Sequence, residues 1–148
     1  MPSGTMCNQI ALLVHCRRGD EVIVGEGAHN MFYESGAGGA IAGVQFAVAG
    51  RGGLFTAAEM EAQVRPRAYH FAPSRLVCVE NTHNRAGGML WPEEQVAEVA
   101  AAARRHGLAM HLDGARIFNA AVASDQSVAA LAAPFDTASF RLSKGLGA

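Results

Sequence analysis

Residues 75–114 read RLVCVENTHNRAGGMLWPEEQVAEVAAAARRHGLAMHLDG. The apolar run Leu76-Val77-Cys78-Val79, within a strand from Arg75 to Glu80, is short and bounded by polar residues, the pattern of a buried strand. The stretch from Pro92 to His106 predicts a helix. Pro92 suits its first position, Glu93 and Glu94 suit the positive end of its dipole, Arg104, Arg105 and His106 suit the negative end, and Gly107 stops it. A second buried strand follows at Leu108–Leu112. Strand, crossover helix and strand in this order make a parallel pair, so the sheet is built from βαβ units.

The same alternation extends in both directions. Upstream lie a helix from about Gly4 to Cys16 with Ile10, Leu13 and Val14 on one side, a strand within Glu21–Gly25, and a small-residue helix over His29–Ala42. A strand at Val44–Val48 follows, then a helix opened by the capping-box pattern Thr56-Ala57-Ala58-Glu59 and ended near Val64 by Pro66. Downstream the pattern predicts helices at about Ala115–Ala123 and Val128–Ala132 and a last strand at Thr137–Leu142, and it makes the third strand a central one. The expected fold is α/β: a three-layer structure with a mostly parallel sheet and helices on both faces. No repeat, low-complexity tract or linker divides it.

Composition narrows the function. Half of the 148 residues are hydrophobic, so the chain has the material for a core. A net charge of −1 leaves no basic surplus to neutralise phosphates, which argues against a nucleic-acid partner. The longest uncharged run, between Glu34 and Arg51, is too short and too glycine-rich for a membrane span, and no signal peptide is evident. Cys7, Cys16 and Cys78 lack zinc-type spacing, and none of the six histidines has metal-ligand spacing. The reading is of reduced thiols, no metal and a cytoplasmic setting. The basic residues are lopsided, with eleven arginines and one lysine, Lys144.

In open α/β sheets ligands sit beyond the carboxyl ends of the strands. Four polar clusters fall there or at a helix start. Ser3-Gly4-Thr5 opens the first helix, where free amides hold a phosphate or a hydroxyl simply caps. Glu80-Asn81-Thr82-His83-Asn84 follows the third strand. Asp113 follows the fourth, either as a cap or as a functional carboxylate, with an Asp113–Arg116 ion pair as the plain alternative. Ser143 and Lys144 follow the last; a lysine near pKa 10.4 needs a buried or cationic setting to be a nucleophile, and otherwise is a solvated side chain. His29 and His83 lie in loops after strands, where function concentrates. Gly36-Ala37-Gly38-Gly39-Ala40-Ile41 fails the dinucleotide fingerprint, and Gly39 to Gly43 reads as a packing motif.

Pro-Ser-Gly-Thr-Met-x-Asn-Gln (2–9), Ala-His-Asn (28–30), Glu-Asn-Thr-His-Asn (80–84), His-Leu-Asp-Gly-Ala-Arg-Ile-Phe-Asn-Ala (111–120) and Leu-Ser-Lys-Gly-Leu-Gly (142–147) together resemble the L-threonine aldolases, in that family's order and over essentially the whole chain. The resemblance implies a pyridoxal 5′-phosphate enzyme of the aspartate-aminotransferase fold type that splits β-hydroxy-α-amino acids to glycine and an aldehyde. It implies that Lys144 forms the Schiff base, Asp113 pairs with the pyridine nitrogen, and Ser3, Gly4 and Thr5, with Ser143 beside the lysine, hold the cofactor. His29 would stack on its ring, His83 would approach the substrate hydroxyl, and Arg116 would hold the substrate carboxylate. The catalytic base is left open between His83 and a water it positions. A small-molecule amino acid would be the substrate, and a homodimer or homotetramer the assembly.

Three features depart from the pattern. Cys7 stands where the family more often has alanine, and Arg141 stands where it is usually apolar or neutral. By the resemblance, the chain would also cover only the central part of the large domain, with an N-terminal segment and a C-terminal small domain expected outside it. The alternatives are a β-eliminating lyase of the same fold, and a 148-residue piece that is inactive by itself.

Overall fold

The computed structural model describes residues 1, 3–144 and 146. Pro2 of the first motif and Gly145 and Gly147 of the last lie outside the described residues. Among the described residues, five strands form one wholly parallel sheet: β1 (Glu21–Gly25), β2 (Gln45–Ala49), β3 (Ser74–Glu80), β4 (Ala109–Gly114) and β5 (Thr137–Phe140). Their order is β2-β1-β3-β4-β5, so the strand expected at the centre is there. The chain winds to one side through β1 and β2, then returns through β3, β4 and β5.

Side chains alternate along each strand, so the sheet feeds two cores. On one face Val22, Val24, Leu76 and Cys78 pack with Leu12 of helix α1 (Gly4–His15) and with Val44. On the other, Ile23, Val77, Val79, Met110 and Leu112 meet Val96, Val99 and Ala103 of α4 (Glu93–Arg105), with α3 (Ala57–Glu61), α5 (Ile117–Ser124) and α6 (Val128–Ala132) beside it. This is the expected three-layer arrangement. No helix among the described residues is long and apolar enough to cross a membrane. Nor does any group of three or more metal-ligating side chains among them surround a common point.

Local chemistry explains most boundaries. The capping box forms in full: Thr56 Oγ1 accepts the Glu59 N–H, and Glu59 accepts the Thr56 N–H. Pro92 sits one place earlier than expected, as the N-cap of α4. Two expectations fail. The 29–42 segment is not one helix but a short α2 (His29–Phe32) and a separate π-helical turn at Gly38–Ala42. Ser35 and Gly36 between them hold positive φ values of 53° and 71°, which no continuing helix contains. Packing there comes mainly from Gly38, where a Cβ would stand 2.6 Å from the Phe46 ring, not from the exposed Gly39.

The second failure is α1, which turns a different face inward. Leu13 and Val14 are 53% and 66% exposed, whereas Asn8, Gln9, Ala11 and Leu12 are buried. The inward face carries two amides because it borders a polar site.

Candidate active site

Parallel strands point all their carboxyl ends one way, and the polar clusters gather there. Glu80 and Asp113 are register partners at the ends of β3 and β4, and Asp113 pairs in turn with Ser139 of β5. Asp113 is 4% exposed and still belongs to β4; α5 begins only at Ile117. Its carboxylate is held on three sides. Oδ1 accepts the Ala115 N–H at 3.1 Å, and Oδ2 accepts Asn8 Nδ2 at 2.8 Å and Arg141 Nη2 at 3.5 Å. A carboxylate offers about four acceptor positions, so one remains for a ligand N–H.

The Asp113–Arg116 ion pair does not form. The strand continues through Asp113, which removes the helical spacing that would have joined the two. Arg116 reaches instead to Asn84 Oδ1 at 2.9 Å, and Asp113 takes Arg141. The charge at position 141 is therefore paired, and it is 8% exposed.

Asn8 is the hinge of a longer chain of bonds. Its other Nδ2 hydrogen goes to Glu34 Oε1 at 2.7 Å. Glu34, buried, also accepts Gln9 Nε2 at 3.1 Å and His29 Nδ1 at 3.0 Å. The His29 N–H is fixed to Glu80 Oε2 at 2.8 Å, and its ring lies 5.5 Å from Tyr33. An imidazole giving its Nδ1 proton to a carboxylate keeps the Nε2 lone pair free. With Nδ1 turned to Glu34, Nε2 is the ring nitrogen left to face a ligand.

His83 is placed differently. It is 1% exposed and packs on Gly53, where a Cβ would stand 2.7 Å from His83 Nδ1 and where φ is +102°. Nδ1 accepts the Ala86 N–H at 3.3 Å, and buried Nε2 has no partner among the described residues. A neutral imidazole accepting at Nδ1 carries its proton at Nε2. His83 therefore offers a donor there. It lines a cavity of about 420 Å³ with Gly27, Phe32, Gly52 and Arg85.

Lys144 is half-buried and Ser143 exposed, both just beyond β5. Burial is the main cause that pulls the Lys144 amine below its ordinary pKa. The charges of Arg116 and Arg141 add to this, and Asp113 and Glu80 oppose it. Those four charged groups are the ones whose fields act on the amine. At the start of α1, Ser3 caps: its Oγ accepts the Met6 N–H at 3.2 Å and its carbonyl the Cys7 N–H at 3.2 Å. The N–H groups of Gly4 and Thr5, in the first turn, have no intrahelical partner.

Sequence reasoning assigned no role to Asn8, Glu34, Glu80 or Arg141. Asn8 lies four residues before the buried Leu12 and shares its face, but the apolar periodicity of α1 points to Ile10, Leu13 and Val14 and so hides it. Glu34, a single acid in a loop, carries no signal.

Comparison with known proteins adds what geometry alone does not. A family model described as beta-eliminating lyase matches residues 1–148. The low-specificity L-threonine aldolase 1 of Arabidopsis thaliana is 42% identical over 153 residues, covering all of this chain and 43% of its own length. The low specificity L-threonine aldolase of Escherichia coli K12 is 39% identical over 149 residues, covering 99% and 44%. A solved threonine aldolase from Leishmania major superposes with a TM-score of 0.82 at 27% identity, over 91% of this chain and 40% of that one. The chain spans about two-fifths of the length of the curated relatives it matches.

Proposed function

The chain belongs to the beta-eliminating lyase family, and from that premise we propose that the protein carrying it is a pyridoxal-phosphate-dependent aldehyde-lyase. Its reaction is the retro-aldol cleavage of β-hydroxy-α-amino acids, L-threonine and L-allo-threonine among them, to glycine and an aldehyde. The observation that carries this reading is the gathering of a buried carboxylate, the chain's only lysine and a set of helix N-terminal amides at one end of a parallel sheet. The relatives named as threonine aldolases, matching along the whole chain, support it.

The donor set fits the cofactor. Asp113 keeps one acceptor position for a ring N–H, Lys144 brings an amine, and the first turn of α1 brings amides suited to a phosphate. When bound, pyridoxal phosphate supplies an aldehyde for an amine and a protonated ring that draws off the electron pair freed at Cα. The chain's own residues do the rest. Asp113 holds the proton on the ring nitrogen, and Asn8 and the Ala115 N–H hold Asp113 in place. Ser3, Gly4 and Thr5 hold the phosphate, with Ser143 near the lysine. Lys144 is the covalent anchor, and its lowered pKa increases the neutral fraction that can attack an aldehyde. Arg116 keeps most of its five N–H donors for a substrate carboxylate.

The two histidines divide the proton work. His29, with Nδ1 engaged by Glu34, takes the β-hydroxyl proton at Nε2. His83, protonated at Nε2, donates to the substrate rather than acting as the base.

Adding pyridoxal phosphate to the purified full-length protein should give a visible absorption band, and borohydride should then fix the cofactor's mass on the Lys144 peptide. A band and aldolase turnover that both survive Lys144→Ala would overturn the assignment. The family description favours one other reading, β-elimination. Pyruvate and ammonia in place of glycine and an aldehyde would establish it.

A further inference from the structure

We propose that Arg141 is a built-in cationic arm of the phosphate cradle, gripping the cofactor's phosphate together with the first amides of α1. The inference rests on the reading of the site as a pyridoxal-phosphate site.

The guanidinium of Arg141 lies directly on Gly4. A Cβ at that position would overlap its Cζ, Nε and Nη2 atoms, so only glycine admits it. It is held at the N-terminus of a twelve-residue helix, which carries roughly half a positive charge. Lys144 follows three residues later, and Arg116 is close enough for its charge also to act on that amine. A guanidinium does not settle among positive neighbours for their own sake.

Its partners in the protein are too few to account for the placement. Among the described residues it makes one hydrogen bond, Nη2 to Asp113 Oδ2 at 3.5 Å, the outer limit of such a bond. That oxygen already holds Asn8 Nδ2 at 2.8 Å. Nε, buried, has no partner among the described residues. A buried guanidinium with one long bond out of five donors carries a desolvation cost that its ion pair with Asp113 offsets only in part. A dianion at Gly4 would satisfy Nε, offset the clustered positive charge and match the planar fork of donors.

A different use of the same contact predicts opposite results. If Arg141 serves only to neutralise Asp113, it competes with the ring nitrogen and hinders the cofactor. Three probes separate the two uses: pyridoxal phosphate, pyridoxal without its phosphate, and inorganic phosphate, each titrated into full-length wild type, Arg141→Met and Arg141→Lys. Arg141→Met should weaken pyridoxal phosphate and inorganic phosphate about 10- to 100-fold, the loss of one charge-assisted hydrogen-bonding group. It should leave pyridoxal unchanged, and Arg141→Lys should recover part of the loss. Equal phosphate binding by wild type and Arg141→Met overturns the proposal, as does tighter binding of both pyridoxal forms by Arg141→Met.

A measurement on wild type alone covers the case of variants that do not fold. The Arg141 Nε–H resonance of the ¹⁵N-labelled apo protein should shift saturably with inorganic phosphate, and a resonance unmoved at saturation overturns the proposal. Wild type that binds neither pyridoxal form defeats the cofactor reading itself. Wild type that binds both, with position 141 indifferent, defeats only this inference.

Discussion

Replacing Asn8 with leucine removes two hydrogen bonds and changes little else. The side chain is buried, and leucine has the same number and branching of side-chain heavy atoms and a better helix propensity. If Asn8 only filled space beneath the sheet, Asn8→Leu would be neutral or stabilising. The structure says otherwise, because both Nδ2 hydrogens go to carboxylates, Glu34 Oε1 at 2.7 Å and Asp113 Oδ2 at 2.8 Å. Hydrogen bonds to charged groups contribute about 1.5–3 kcal/mol each, so the pair contributes about 3–6 kcal/mol. Typical whole-domain stability is about 5–15 kcal/mol, which makes the loss plain in a urea melt. Glu34 would keep Gln9 and His29, and Asp113 would keep Ala115 and the long Arg141 bond. The assay is a double-mutant cycle of Asn8→Leu and Glu34→Gln in the apo full-length protein, read by urea unfolding. A coupling above about 1 kcal/mol is the expected result for residues sharing a charged hydrogen bond. Full additivity, or a stabilised Asn8→Leu protein, would refute the reasoning.

His111 is buried on the α1 side of β4, bonded to Thr137 Oγ1 at 2.9 Å. Burial foremost, and then the charge of His15, lowers its pKa from 6.5 to about 4, although Asp113 and a hydrogen bond to the Thr137 backbone pull the other way. Between those two values the unfolded chain binds the proton and the native chain does not, so stability falls as pH drops. The loss is about 2 kcal/mol by pH 5, and paired melts of wild type and His111→Leu at pH 7 and pH 5 should show it in wild type only. Arg116→Met removes a positive charge that lowers the Lys144 pKa. The pH midpoint for forming the cofactor's visible band should therefore move to higher pH, and an unmoved midpoint would dissociate Arg116 from the lysine.

The parallel sheet is legible in the sequence because each buried strand is a short apolar run and each crossover carries its own signals. Pro92, the two glutamates after it and Gly107 bracket α4 within a residue or so. Legibility fails where a residue answers to the site instead of to the core. Along α1, periodicity favours Ile10, Leu13 and Val14 as the inward face, yet Asn8 and Gln9 point in because Glu34 and Asp113 require donors. The break at Ser35 and Gly36 is equally hidden. Small residues allow a helix there, and what forbids it is the turn that carries Glu34 toward Asn8. Asp113, Lys144 and His29 stand out beforehand because their place after a strand is unusual for their chemistry. Arg141 stands out only as a departure from the family pattern, and its place is hidden because its burial depends on a glycine 137 positions away along the chain.

The imbalance of eleven arginines to one lysine acquires a physical meaning at this site. Arginine keeps its charge at any pH a protein meets, whereas an amine can surrender its proton. Arg116 and Arg141 can therefore lower the Lys144 pKa without titrating themselves; lysines in their places would share the proton and blunt the effect. The same constancy lets Arg141 serve two demands in turn. Against an empty cradle its full charge discourages protonation of Lys144. Once an anion rests on it, that charge is offset and Lys144 regains its affinity for a proton. If Arg141 grips phosphate as proposed, phosphate affinity and the reactivity of Lys144 are coupled through a single guanidinium, with the amine most readily deprotonated before the phosphate is seated.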